Sequence, residues 1–317
     1  MAPLRLRVGP GDGPAGPSTA REALARRFPP LLDPAATDLD TRFARGDVVR
    51  ADGTAWAADD EVAPGDELWL HREIAAEDVP EIELPVLVDD GHLLVIDKPH
   101  GMATTPRGAH ILSSALVRLR RARGQDDLVP LHRLDRRTAG VLALGVRPSE
   151  RGAYQRLFAE GAVRKEYLAV LDVPDVPDGP GVGAGPGAPA GAEAWRPVAG
   201  ERRTLADRLE RRRGDLQTAI VAGEPNAETD VEVLAVAPGR ALVRLMPRTG
   251  RTHQLRAQLA HRGTPIAGDD LYPRRREESA CGDLQLLARA IAFDDPITGR
   301  PRRILSRRSL ALAEGLG

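Results

Sequence analysis

The chain has 317 residues, enough for one large domain and a small one. Hydrophobic residues make up 42% and charged residues 29%, which disfavours a disordered or membrane-spanning class, and with no apolar signal-peptide core at the N-terminus a cytoplasmic protein is expected. Lys and Arg number 45 against 46 Asp and Glu, so net charge alone points to no polyanionic partner, and the single cysteine, Cys281, excludes an internal disulfide and a cysteine-cluster metal site.

Residues 1–19, rich in Gly, Pro and small side chains, read as a flexible tail. Leu24, Ala25 and Phe28 predict a short helix over 20–28, stopped by Pro29 and Pro30. Val48-Val49, an Asp52-Gly53 turn and Glu67 to His71 suggest short strands, so 20–76 reads as a small domain. An acidic, proline-bearing stretch over 77–85 suits a linker. The main domain is expected over 86–317. It opens on a hairpin, Val86–Val88 and Leu93–Ile96, around an Asp-Gly turn. Tyr154, Leu157 and Phe158 stand at helical spacing, closed by Gly161. A Gly/Pro/Ala-rich segment over 174–200 reads as a mobile surface insertion. Strands over Thr229–Val236 and Ala241–Leu245 flank a Pro238-Gly239 turn, and a helix is predicted from an N-cap at Thr252 to His261.

Arginines cluster at Arg118, Arg120, Arg121 and Arg123, at Arg211 to Arg213, at Arg274 to Arg276, and at Arg302, Arg303, Arg307 and Arg308. One such run is ordinarily a solvated face, but several together make an RNA-facing stripe plausible.

The densest chemistry lies in Leu131-His132-Arg133-Leu134-Asp135-Arg136-Arg137-Thr138-Ala139-Gly140, ahead of the strand-like run Val141 to Val146. Such a turn could hold a metal through His132 and Asp135, seat a catalytic carboxylate beside a cation, or be a salt-bridged loop. Further motifs follow in order: Lys98-Pro99-x-Gly101, Lys165-Glu166-Tyr167, Ala227-x-Thr229, Thr249-Gly-Arg-Thr-His-Gln-Leu-Arg256, and Pro265-Ile266-x-Gly268-Asp269 with Tyr272. Together they resemble the RluA-like pseudouridine synthase family over Val86 to Pro296. Residues Arg45 to Val49 and Val62 to Glu67 are also similar to the α-L RNA-binding domain found ahead of such catalytic domains.

The resemblance implies an α+β catalytic domain with a mixed, largely antiparallel central sheet, preceded by the small RNA-binding-like domain. It implies isomerisation of a uridine in structured RNA, with ribosomal RNA favoured over transfer RNA. The reaction breaks the bond from ribose to ring nitrogen and rejoins the sugar to a ring carbon, so no cofactor and no metal are expected. The catalytic carboxylate falls on Asp135, with Arg256 as its paired cation and Tyr167 against the flipped base. Tyr167 also alternates with Ala169 and Leu171 as a strand residue would. His132, Arg133, Thr138, Lys165, Arg251, His253 and Gln254 are expected to contact or shape the substrate site, His132 chiefly in a structural role. The only lysines, Lys98 and Lys165, both fall inside family motifs. The chain departs from the family at Ala139, at Gln258 and at Leu286-Leu287-Ala288. It is expected to act as a monomer. Two other classes compete: a catalytically idle RNA-binding or assembly factor on the same fold, and a metal-dependent hydrolase using His132, Asp135 and His253.

Overall fold

In the computed structural model, the described residues are 4–9, 18–28, 37–70, 77, 79, 81–106, 110–174, 195–212 and 214–316. Most of the predicted insertion, the prolines at 29 and 30, and much of the predicted tail lie outside them. The chain divides into two units, Met1–Asp78 and Val79–Gly317. Among the described residues no helix is long and apolar enough to cross a membrane.

The first unit contains strands β1 (Leu4–Arg7) and β2 (Ser18–Thr19), helices α1 (Ala20–Arg27) and α2 (Leu39–Ala44), and strands β3 (Val48–Val49), β4 (Glu61–Val62) and β5 (Glu67–Leu70). The tail reading is corrected at both described ends of that segment. β1 pairs antiparallel with β5, and β2 pairs with β4. Alternation explains the first pairing: Leu6 and Val8 are buried with Leu68 and Leu70, whereas Arg5 and Arg7 point outward. Thr19 caps α1 through a reciprocal capping box with Glu22, which fixes where that helix begins.

The second unit is built on one large sheet. Its strands are β6 (Val86–Asp89), β7 (Leu93–Lys98), β8 (Val129–Pro130), β9 (Ala139–Gly145), β10 (Arg164–Asp172), β11 (Arg202–Glu210), β12 (Ala219–Val221), β13 (Ala227–Ala237), β14 (Arg240–Pro247), β15 (Leu286–Asp294) and β16 (Pro301–Leu305). Its helices are α3 (Ala115–Arg123), α4 (Arg151–Ala159) and α5 (Gln254–His261). The strand order is β12-β11-β13-β14-β10-β15-β9-β7-β6, with β16 on β15 and β8 on β9. Among the described strands every pairing is antiparallel except β15 with β9, so the expected mixed, largely antiparallel sheet is present. At that parallel junction Gly140 has a φ of +112°, and a Cβ there would overlap the Ala288 carbonyl. Glycine is therefore required for β9 to approach β15.

The predicted linker is part of this unit from residue 81. Ile82 and Leu84 pack against the core cluster of Leu94, Ile96 and Leu142, and Asp97 N–H bonds to Pro85 C=O. The insertion reading is corrected at its C-terminal end. Trp195 is buried in the core with Leu205, Val231 and Leu259, its indole donates to Glu201 at 3.1 Å, and its N–H bonds to Arg262 C=O. A single tryptophan in a glycine- and proline-rich run buries enough apolar surface to order its neighbours.

Candidate active site

Asp135 sits in the turn between β8 and β9, and that turn is held from four sides. Thr138 N–H bonds to Asp135 C=O at 3.0 Å, closing the turn itself. Thr104 Oγ1 both donates to Leu134 C=O, at 2.8 Å, and accepts Leu134 N–H, at 3.1 Å. Arg137 reaches across to the carbonyls of Gly268 and Gly282 and to the Asp270 carboxylate. From beneath, the fully buried Lys98 ammonium donates to the carbonyls of Pro99 (3.0 Å), Met102 (2.8 Å) and Arg136 (3.2 Å), so all three of its N–H groups are engaged. Burial pushes Lys98 down to about 7, with the Asp135 charge pulling the other way.

The Asp135 side chain is 28% exposed at the floor of a cleft of about 740 Å³. The turn after β8 forms one wall. The other walls come from the end of α4, the start of β10 and the Pro247–Arg256 segment leading into α5. Tyr167 stands on β10 at a bulge after Glu166, facing the cleft. Burial, and after it the Asp135 charge, push its phenol well above the ordinary tyrosine value, and among the described residues its hydroxyl makes no hydrogen bond. Lys165 also lines the cleft, with Nζ 5.9 Å from the Phe158 ring centroid, and burial lowers its pKa. Arg133 is exposed at the rim and makes no ion pair among the described residues.

His132 has a structural role. Its Nε2 accepts Ala143 N–H at 3.1 Å and its ring stacks on Phe158 at 4.9 Å. Burial, and then Lys165, lower its pKa to about 3, so it is a neutral wedge between β9 and α4. A nitrogen already accepting from a backbone amide is not free for a metal.

One site expectation is corrected. The Arg256 guanidinium does not pair with Asp135. Its Nε and Nη2 grip Asp269 at 2.8 and 2.6 Å, and Nη2 also reaches Asp270 at 2.9 Å. The two-pronged fork is matched by the nearer carboxylate, which also accepts from the backbone of Leu271 and Tyr272. Burial works against the charge, but the hydrogen bonds and field of Asp269 outweigh it and hold Arg256 above the ordinary arginine value. Among the described residues, the only basic side chain within 4 Å of Asp135 is His253, whose Nε2 lies 3.9 Å from Oδ2. Gln254 lines the cleft, and its amide also braces the loop. Buried, it accepts from Thr249 Oγ1 and Arg251 N–H and donates to Glu228 C=O and Thr229 Oγ1, tying the loop before α5 to β13. Arg251, exposed, donates to Asn226 C=O at 3.2 Å.

The N-cap of α5 is His253 and not Thr252. His253 takes the left-handed conformation, φ 54° and ψ 20°, the one described non-glycine residue with positive φ. Thr252 lies one residue before the cap, and its carbonyl accepts from Thr218 Oγ1. Gln258, a departure from the family motif, bonds Thr229, Asp207 and the carbonyls of Leu205 and Ala227, well away from Asp135's turn.

The C-terminal arginine run is also reassigned in part. Arg302 pairs with Asp90 and Asp295, and Arg308 donates to Asp97 C=O at 3.0 Å. Opposite charges from distant segments claim these cations, and nothing in their local spacing announces it. Asp270, Thr104 and Phe158 escape sequence reasoning for a similar reason. Asp270 adjoins a motif residue, Phe158 is marked only as part of a helix's apolar stripe, and Thr104 carries no local signal.

A carboxylate on a tethered turn, facing a tyrosine in a basic-rimmed cleft, accompanies a family model for RNA pseudouridylate synthase that matches residues 92–261. The chain belongs to the RluA-like family of RNA pseudouridine synthases. This synthase is 30% identical over 270 residues to the ribosomal large subunit pseudouridine synthase C of Vibrio vulnificus, covering 83% of this chain and 76% of that one. It is 31% identical over 228 residues to the tRNA pseudouridine synthase C of Haemophilus ducreyi, covering 68% and 88%. The human RNA Pseudouridylate Synthase Domain Containing 1 shares the fold of the synthase, with a TM-score of 0.54 at 21% identity, over 71% of this chain and 84% of that one. The synthase is therefore an isomerase acting on RNA.

Proposed function

We propose that the synthase acts on a ribosomal RNA uridine, in the cytoplasm and as a monomer, through Asp135 as the reacting carboxylate. The observation that carries this reading is the position of the Asp135 side chain: part-exposed on the cleft floor, on a turn tethered by Lys98, Thr104 and Arg137, with no arginine or lysine closing over it among the described residues. A carboxylate left unclaimed by the arginines and lysines around it is available to attack the sugar or remove a proton. A target base inside a helix is out of reach, so the nucleotide is extruded into the cleft, where Tyr167 offers a stacking face. The choice of ribosomal RNA follows the name of the Vibrio vulnificus relative, and transfer RNA is the second candidate.

Phosphate contacts are assigned to the catalytic unit, through Arg133, Lys165 and Arg251 at the cleft. Residues 79–317 carry 36 Lys and Arg against 31 Asp and Glu, whereas residues 1–78 carry 9 against 15. That balance makes the first unit a poor electrostatic match for a polyanion. The test is Asp135→Asn, which keeps shape and removes the charge. Pseudouridine mapping across total RNA should lose one or more sites in a strain carrying only this variant, while the purified variant still binds RNA. Isomerisation within tenfold of the parent would reject Asp135.

A further inference from the structure

Resting on the reading of Asp135 as the reacting carboxylate, we infer that His253 is a positioning residue for Asp135, with the Tyr272 hydroxyl bracing its Nδ1 so that Nε2–H faces the carboxylate. The geometry carries the assignment. The His253 ring bridges two groups, with Nε2 3.9 Å from Asp135 Oδ2 and Nδ1 3.2 Å from the Tyr272 hydroxyl. Tyr272 is buried, at 6% exposure, and crosses the imidazole edge-on at 5.8 Å. The left-handed backbone of His253 aims the ring this way, a conformation that a β-carbon disfavours and that the surroundings must impose.

The proton count around the Tyr272 oxygen decides between two arrangements. Thr218 N–H donates to that oxygen at 2.6 Å, and Thr218 C=O lies 3.2 Å away as an acceptor competing with the imidazole. The hydroxyl has one proton to give. If it goes to Thr218 C=O, His253 must carry its proton on Nδ1, and a bare Nε2 lone pair faces the Asp135 carboxylate. If it goes to Nδ1, His253 carries its proton on Nε2 and turns an N–H toward Oδ2. The second arrangement replaces an acceptor facing an anion with a donor facing an anion. It is therefore the one the Asp135 charge selects.

The groups facing the imidazole are Asp135 and Asp269 on the acidic side, Arg256 and Arg211 on the basic side, and Tyr272. Burial keeps the ring neutral, which suits a donor that must not neutralise its carboxylate. A separation of 3.9 Å is longer than a hydrogen bond, and such pairs commonly tighten when substrate fills a cleft. Holding one carboxylate oxygen by Nε2–H leaves the other to meet the ribose or the ring. The chain thereby fixes which oxygen reacts, with no cation placed on Asp135.

The experiment uses the full chain labelled with nitrogen-15 histidine, together with the variants His253→Asn and Tyr272→Phe. Asparagine tolerates the left-handed backbone, so His253→Asn removes the imidazole with little conformational penalty. In the parent, the His253 nitrogen shifts should report the Nε2–H tautomer with Nδ1 accepting a hydrogen bond, and Tyr272→Phe should move the Nδ1 shift to that of an unbonded acceptor. His253→Asn should lower kcat about tenfold to a hundredfold with KM within about threefold, as for a hydrogen bond to a charged group realised at the reacting centre. Tyr272→Phe added to His253→Asn should then cost no more than His253→Asn alone. A parent in the Nδ1–H tautomer overturns the inference, and so does a full kcat in His253→Asn. If Asp135→Asn is active, the reading beneath the inference fails. If Asp135→Asn is dead while both other variants turn over normally, only the positioning role fails.

Discussion

Arg256→Lys separates a structural arginine from a chemical one. Arg256 and Asp269 are 3% and 0% exposed, and the guanidinium bonds the carboxylates of Asp269 and Asp270 at 2.6 to 2.9 Å. Lysine keeps the charge but can meet only one oxygen well, leaving Asp269 held by the backbone N–H groups of Leu271 and Tyr272 alone on its other side. Removing two charge-assisted hydrogen bonds, each worth about 1.5–3 kcal/mol, should make the variant less stable by about 3–5 kcal/mol. For a unit of this size that lowers Tm by about 10 °C. Thermal and urea melts should show the effect, while the single-turnover rate on RNA, measured below the new Tm, falls less than about tenfold. The reasoning is refuted if Tm stays within about 1 °C of the parent while the rate drops by orders of magnitude. That outcome would return Arg256 to direct partnership with Asp135.

Lys98 titrates near 7 when folded and near its ordinary 10.5 when unfolded, so between those values the unfolded chain binds the extra proton and stability rises with pH. Relative to Lys98→Met, the parent should gain up to about 1.4 kcal/mol per pH unit from pH 7.5 to 9.5. Parallel stability curves for the two proteins would show that the three carbonyls keep the ammonium charged. Replacing residues 175–194 by a short Gly/Ser bridge should leave Tm within about 2 °C of the parent, since loop closure depends weakly on length. Extending the deletion through Gly200 removes the buried Trp195 and should cost about 3–5 kcal/mol in a urea melt. Arg133→Ala and Lys165→Gln should each flatten the slope of log affinity for RNA against log salt by about one, whereas Arg302→Ala should leave that slope alone and lower Tm. Equal slopes in all three variants would put the phosphate contacts elsewhere.

The sheet and its tight turns were legible because their signals are local. Alternation in Thr229–Val236, the Asp-Gly turn before Leu93 and the Tyr154-Leu157-Phe158 stripe each appear as the expected element, with ends displaced by a few residues. Asp135 and Tyr167 were marked by motifs and come together at one cleft. The partnerships of charged groups were not legible. Arg256 finds Asp269, Arg302 finds Asp90 and Lys98 finds Arg136 C=O across separations that no spacing rule reports. Thr252 read as an N-cap because it is the residue type that caps, but the left-handed turn at His253 moved the helix start past it.

β15 lies between β9 and β10 in the sheet, though it follows both in sequence by more than a hundred residues. Without it, the synthase is two half-sheets, one ending at the strand that follows Asp135 and the other at the strand that carries Tyr167. A chain leaving the ribosome can build each half early, because their pairings are mostly between near neighbours. The cleft that straddles them exists only once residues 286–294 have emerged and slotted in. The cleft between Asp135 and Tyr167 is therefore among the last features of the catalytic unit to take shape.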